Sequence, residues 1–476
     1  MSKPSISFLS ESEIESIHEA SLQVLEKTGV KVLSKTALDV LLKAGAKLKS
    51  GSNHVLIPRK LVQEALDMAP KSFTYGARNP QKNLELKGKK TFFGAIGGPP
   101  FMMDIETGER RYSTSEDIAQ CATIADYLDH VDIIWPLGVG SEVPAPMRYI
   151  VDMYTSLKNT EKHFEGDSTT AKEAQYQIEI AAAIVGGREE LRKRPIISFI
   201  ICTLSPLCYD KGMTEASIEL GKAGIPVVYY PMPTTGGTSP ATPAGTVIIN
   251  NAEVLGGLVI QEYSTPGAPV VYAGGVGVLD FRTGSNVRSP ERNLMGLALE
   301  QMARFYGLPS QMVAIGGTTS KTLDIQAGYE RAISLVPQIM AKPDIALGTG
   351  SLESSRITSA EALVIDNEII DYALRYIEGF EVNTETMALD IIDQVGPAKV
   401  YLGEKHTVQN FRKRWVPQLA DFSSYEAWEE QGSKTMAMLA NEKARNILAT
   451  HKPAPLPEDV EKEIGLILKK AEAELL

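Results

Sequence analysis

The sequence predicts an α/β protein built on a TIM (β/α)8 barrel over residues 91–380, with an N-terminal helical and short-strand extension over 1–90 and a C-terminal helical tail over 381–476 packed on the barrel. Three observations predict it. Apolar runs alternate with helical patterns eight times over about 290 residues, close to the roughly 250 residues plus insertions usual for such a barrel. The stretch Ile225–Gly277 displays the repeating unit whole: a β-branched and aromatic run at Ile225–Tyr230, a polar loop at Gly236, Gly237 and Thr238, a helical pattern from Ala241 to Tyr263, and a second buried run at Pro269–Ala273. Strand–helix–strand order favours a parallel sheet. The competing doubly wound sheet lacks its Gly-x-Gly-x-x-Gly turn with an acidic residue about 20 positions on.

In chain order, Ser10 and Glu13 fit a capping box ahead of Ile14, Ile17, Leu22 and Leu25. Pro58 opens a helix through Leu61, Ala65 and Met68. Phe73–Gly76, Leu84–Leu86 and Thr91–Phe93 read as short strands, and Thr107-Gly108 as a hairpin turn. Barrel strands are expected near Phe92–Ile96, Val131–Trp135, Lys162–Glu165, Ile196–Cys202, Val227–Tyr230, Val270–Ala273, Met312–Ile315 and Ile345–Leu347. The helices that follow them are expected at Ser115–Leu128, Met147–Asn159, Ala171–Val185, Lys211–Ala223, Ala241–Tyr263, Pro290–Tyr306, Leu323–Met340 and Thr358–Ile377. Pro243 is tolerated because it falls in a first turn. In the tail, Thr384–Val395, Tyr425–Ala449 and Pro457–Leu475 read as helices.

The net charge of −11 argues against nucleic acid as the main partner, since phosphate binding needs clustered Lys and Arg. No apolar run reads as long enough to span a membrane, and the first residues lack the apolar core of a secretory signal. A cytoplasmic location is therefore expected. Cys121, Cys202 and Cys208 are unevenly spaced, and neither a disulfide framework nor a zinc site is expected.

In a barrel, chemistry gathers at the C-terminal ends of strands. Residues expected there are Phe101, Lys162, His163, Glu165, Tyr229, Tyr230, Tyr272, Phe281, Arg282, Gln326, Tyr329, Glu330 and Glu353, with His406 leaning in from the tail. Tyr229 and Tyr230 must face opposite sides of their strand, so one at most faces the lumen. The segment KHFEGD puts polar residues where an apolar strand would stand, so its buried groups need partners. Aromatic rings at strand ends could cage a quaternary ammonium, at roughly 0.5–2 kcal/mol per ring. Gly274-Gly275-Val276-Gly277 reads as tight turn geometry rather than a phosphate cradle. Glu330 and Glu353 read as buried acids or as acids at helix N-termini. No metal-ligand spacing, nucleophile elbow or Walker loop is present.

The segments GGTSPATPAGT, NAEVLGG, PGAPVVYAG, DIQAGYE, DNEIIDYAL, VGPAKVYLGEKHT and FRKRWVP closely resemble the trimethylamine methyltransferase family, and the resemblance spans essentially the whole chain. It implies a TIM barrel that passes a methyl group from an amine to the cobalt of a corrinoid (cobalamin) carried by a partner protein. Archaeal trimethylamine enzymes of the family carry pyrrolysine, whereas this chain has standard residues throughout. It resembles the non-pyrrolysine branch, whose substrates are quaternary amines: glycine betaine first, with proline betaine and carnitine as alternatives. The resemblance further implies a positioning mechanism with no catalytic side chain and no tightly bound metal, and a homo-oligomer is expected. Phe101, Tyr229 or Tyr230, Phe281 and Tyr329 would hold the ammonium, and His163, Lys162 or Arg282 would meet a substrate carboxylate. Gln326, Tyr329 and Glu330 would line the mouth. Readings of other classes are a lyase or aldolase using Lys162 as a Schiff base, and a non-catalytic betaine-binding protein.

Overall fold

Short β-branched and apolar runs, each buried on both faces, form strands β1 (Phe92–Ala95), β2 (Ile133–Ile134), β3 (His163–Asp167), β4 (Ile197–Ile201), β5 (Val227–Tyr229), β6 (Val270–Gly274), β7 (Ser310–Val313) and β8 (Ile345–Thr349). This is a computed structural model that describes residues 3–313 and 317–476, so the end of the expected strand at Ala314 and Ile315 lies outside the described residues. The eight strands form one closed barrel in which each strand neighbours the next and β8 returns to β1. Every pairing is parallel, with registers such as Phe199 against Val227 and Val227 against Val270. The seam between β8 and β1 is irregular between Leu347 and Thr349.

The barrel helices follow in alternation: α1 (Ser115–Tyr127), α2 (Arg148–Lys158), α3 (Ala171–Val185), α4 (Gly212–Lys222), α5 (Pro243–Ser264), α6 (Pro290–Tyr306), α7 (Ile325–Ala341) and α8 (Ala360–Glu378). Local chemistry sets their starts. Thr114, Thr170, Thr242, Asp324 and Ser359 each accept a backbone N–H as N-caps.

Helix α5 corrects one expectation. It is 22 residues long, and by length and composition it could cross a membrane, with mean hydropathy 1.3 over its best window. That window is 72% buried, because the barrel lies on one side and the N-terminal helices Glu11–Gln23, Lys35–Ala44 and Arg59–Met68 lie on the other. A helix apolar all round belongs in an interior, and here the extension completes that interior.

The hairpin Phe73–Tyr75 with Leu84–Leu86 closes the N-terminal end of the barrel. The ring of Tyr75 stacks on His163 at 4.1 Å, and Gly76 donates its N–H to the Pro195 carbonyl at 2.8 Å. The tail is more broken than its periodicity suggests. Ala388 in the left-handed region divides Thr384–Met387 from Leu389–Val395, and Gly432 and Ser433 separate Tyr425–Glu430 from Met436–Thr450. Met436–Thr450 packs on α8 and α1, and Glu458–Leu475 packs on α3.

Candidate active site

A row of polar residues climbs the inner face of β3: His163 near the floor, Glu165 above it, and Asp167 toward the C-terminal mouth. The period-2 geometry of a strand puts all three on one face. Hydrogen bonding fixes their protonation. The Gly76 carbonyl can only accept, so His163 Nδ1 carries its proton (2.6 Å). Burial pushes His163 down to about 3, so the ring is neutral and Nε2 is an acceptor for the Ser198 hydroxyl at 2.9 Å. Ser198 then has no proton left for Glu165, 3.2 Å away, and the Glu165 carboxyl must be the donor. Burial pushes that carboxyl up to about 8, in agreement. Gln311 Nε2 reaches across the lumen to its other oxygen at 2.9 Å. A neutral carboxylic acid therefore sits at the barrel centre.

Above it the lining becomes aromatic and charged. Trp135 donates Nε1–H to Asp167 at 3.0 Å, and burial raises Asp167 to about 6, so it remains ionised at neutral pH. Gly97 lies flat against the indole: a Cβ there would fall 1.9 Å from Nε1. Tyr230 shares the lumenal core with Val228, Val271 and Ala273, seated on Gly275, where a Cβ would fall 2.3 Å from its ring. Gly275 and its neighbours are thus close-approach glycines rather than a turn, since none has a positive φ. Cys202 is half-buried and desolvation pushes its thiol well above its ordinary range, so it is no nucleophile.

Two guanidiniums approach Tyr230 from the start of α6. Arg292 is 6% exposed, its side chain has no hydrogen-bond acceptor among the described residues, and desolvation lowers its pKa. Arg288, half-buried, is lowered to about 9 by desolvation and by Arg292; Glu330 and Tyr230 oppose the shift. One Arg288 nitrogen reaches Ser355 Oγ at 3.3 Å, while its Nε is buried without a partner. A buried, unpaired cation is costly, so the pair describes a place for an anionic group.

Two small sheets stand on the rim: Thr234–Thr235 with Gly277–Asp280 and Ser285–Val287, and Ser351–Leu352 with Ile357–Thr358, Phe101–Met103 and Arg110–Tyr112. Between them, Glu353, Ser354 and Ser355 take consecutive left-handed conformations (φ 47, 53 and 69°). At roughly 1–2 kcal/mol per residue this turn is strained. It is pinned by Glu353 N–H to the Ser320 carbonyl at 2.8 Å and Ser354 N–H to the Thr318 carbonyl at 2.7 Å. Glu330, at the mouth end of α7, accepts from Thr318 Oγ1, Thr319 N–H and Gln326 Nε2.

Of the residues singled out from the sequence, Tyr230, Glu165, Glu330 and Gln326 gather at the lumen or its mouth. The others stand elsewhere. Lys162 lies below β3, where Nζ donates to the carbonyls of Ala125, Leu128 and Val131 at 2.6–2.7 Å and caps the end of α1; all three of its protons are used. Burial lowers it to about 8. His163 is on the floor rather than at a strand end, because β3 runs on to Asp167 instead of stopping at Glu165. Tyr229 and Tyr272 point outward, to Ser217 and Gln261 and to Asn251 respectively. Phe281 is 74% exposed at a rim hairpin tip, and Arg282 beside it pairs with its own Asp280 at 2.9 Å. The Phe101 ring already holds a cation, Arg110, at 4.0 Å. Glu353 faces Arg110 and Arg356 on the rim, and Tyr329 lies exposed on α7. His406 sits on the tail helix Lys405–Asn410, which packs mainly on the neighbouring tail residues Phe411–Lys413.

Asp167, Trp135, Arg288 and Arg292 are the residues sequence reasoning passed over. A signal existed for the arginines: Arg292 falls in the first turn of α6, the end of a helix dipole that disfavours cations.

The family model described as trimethylamine methyltransferase (MTTB) matches residues 1–475. The chain is 32% identical over 465 residues to a glycine betaine methyltransferase of Desulfitobacterium hafniense (strain Y51), covering 97% of this chain and 96% of that one. It is 32% identical over 434 residues to the trimethylamine methyltransferase MttB of Methanosarcina barkeri, covering 90% and 88%. Among solved structures, the hydroxylamine complex of MtmB superposes with a TM-score of 0.52 at 13% identity, over 98% of this chain and 88% of that one, a likeness of fold. Barrel, sequence and family model agree, and the chain belongs to the trimethylamine methyltransferase family and is a methyltransferase.

Proposed function

We propose that the protein demethylates a quaternary amine bearing a carboxylate, glycine betaine in the first instance, and hands the methyl group to the cobalt of a corrinoid bound to a separate protein. The observation that carries the reading is the polarity of the mouth: an ionised Asp167 bonded to the Trp135 indole at one pole, and the unpaired Arg292 with Arg288 beside Tyr230 at the other. A zwitterion matches that arrangement. Its trimethylammonium meets Trp135 and Asp167 through cation–π and charge attraction, and its carboxylate meets the guanidiniums beside Tyr230. Trimethylamine has nothing to offer the arginines.

The reaction breaks one N–CH3 bond, and the bonding pair stays on nitrogen, which leaves as a neutral tertiary amine. A reduced corrinoid supplies the nucleophile when its carrier is docked. The barrel supplies position and dryness: Arg288 and Arg292 hold the carboxylate against Tyr230, Trp135 and Asp167 fix the ammonium, and the neutral Glu165 closes the floor without adding charge beneath it. Exposed Met232, Phe281 and Tyr112 on the rim suit the docking of a carrier protein.

The test is anaerobic mixing of the enzyme with reduced free cobalamin or a corrinoid protein, then glycine betaine, proline betaine, carnitine or trimethylamine. Loss of the cobalt(I) absorption with a carboxylated quaternary amine is expected. Turnover of trimethylamine alone would overturn the reading, and tight betaine binding without any methyl transfer would make the protein a binding module.

A further inference from the structure

From residue 380 to 414 the tail leaves the barrel as an arm in which Val395 is the one buried residue. Its helices, Thr384–Met387, Leu389–Val395 and Lys405–Asn410, are too short to persist in water without packing. Yet the sequence is not that of a polar linker. Between Phe380 and Tyr425 thirteen large apolar side chains are exposed, among them Leu402 (81%), Val400 (74%) and Val382 (64%). A second apolar surface stands on the adjacent wall, where Ile333 of α7 and Tyr372 and Tyr376 of α8 are more than half exposed.

We infer that the arm is the dimer contact of this protein: residues 380–414 of one copy lie across the α7–α8 wall of a second copy, reciprocally about a twofold axis. Size supports a stable contact. Ten of the thirteen lie within residues 380–414, and with about half or more of each side chain showing they offer an area on the order of 800 Å². That exceeds the roughly 300–600 Å² patch of an ordinary monomer and matches the roughly 800 Å² per partner of a standard interface. Position selects a second copy over the methyl-accepting protein. The arm departs from Gly379, at the end of α8 remote from the mouth, whereas a methyl acceptor must reach the mouth itself. Its return is fixed to α8: Trp415 Nε1 donates to Asp371 at 2.7 Å, and the N–H groups of Gln418, Leu419 and Ala420 converge on Glu368 at 2.5–2.9 Å. Both ends are thus held while the apolar middle stands free, and an isologous contact buries arm and wall twice each.

Sedimentation equilibrium of the full chain, with micromolar protein, tests this against the 51.7 kDa of one copy. The expected result is twice that mass for the wild type. The double variant Val400→Asp/Leu402→Asp and, separately, Tyr376→Asp should each weaken the dimer at least about 100-fold, with the circular dichroism spectrum unchanged. A single-copy wild type, or a dimer indifferent to both variants, overturns the inference. So does a single-copy wild type whose complex with a corrinoid protein is lost in the double variant, which would assign the arm to that partner instead.

Discussion

Arg292→Met removes the unpaired guanidinium while keeping much of the side-chain volume, and its two consequences run in opposite directions. A hydrogen bond to a charged group contributes about 1.5–3 kcal/mol, so losing one of two arginines should lower kcat/KM for glycine betaine roughly 10–150-fold. The fold should gain. An unpaired buried ion costs several kcal/mol, only part of which is recovered by solvent reaching the lumen. In a chain of 476 residues each kcal/mol moves Tm by about 1 °C, so a rise of about 1–3 °C is expected. The assay pairs methyl transfer with thermal unfolding, and repeats both with tetramethylammonium, which lacks the carboxylate. Glycine betaine should raise the wild-type Tm more than the variant's, since ligand binding stabilises the folded state by mass action. The reasoning is refuted if Tm falls and both substrates suffer equally, for then Arg292 holds the structure together instead of waiting for an anion.

Gly97→Ala drives a methyl into Trp135 and should break its bond to Asp167, lowering kcat/KM by roughly tenfold or more while the chain still folds; an unchanged rate would remove Trp135 from the site. The Glu165 carboxyl, raised from 4.5 to about 8, contributes stability in full below pH about 4.5 and loses it as pH rises through about 8. Glu165→Gln keeps the contacts with Ser198 and Gln311 without titrating, so its urea midpoint should fall less steeply than the wild type's between pH 5 and 8; parallel curves would mean the acid is already ionised. Lys162→Met leaves three carbonyls without a donor and should cost about 2–4 kcal/mol in urea unfolding. Activity per folded molecule should hold, and borohydride should trap no substrate on the wild type.

The barrel was legible because its signal is periodic and repeated: α3 and α6 fall on the expected residues, and the strands on theirs to within about two. Boundaries failed where one residue's backbone conformation decided them, as at Ala388 and Ser433, since left-handed φ at a non-glycine leaves no mark in composition. The site was legible in part. KHFEGD announced a polar strand, but which end of it faces the mouth depends on where β3 stops, and reading it two residues short promoted His163 and hid Asp167. Rim aromatics and acids such as Phe281 and Glu353 share the composition of a cage without its convergence. Arg288 and Arg292 were hidden for a simpler reason. The first-turn position of Arg292 is a faint mark on what otherwise reads as any surface arginine, and only the fold shows it buried without an acceptor among the described residues, with Arg288 half-buried beside it.

Helix α5 has a further consequence, for biosynthesis. The three helices that cover it are translated some 200 residues earlier, so they must wait for it, and it emerges from the ribosome already greasy enough to be mistaken for an insertion signal. Because they are made first, they are already present to cover α5 when it is released. In a cell, deleting them would not merely soften the enzyme; it would send the polypeptide to the bilayer or to a protease, and a reporter fused behind α5 would reveal which.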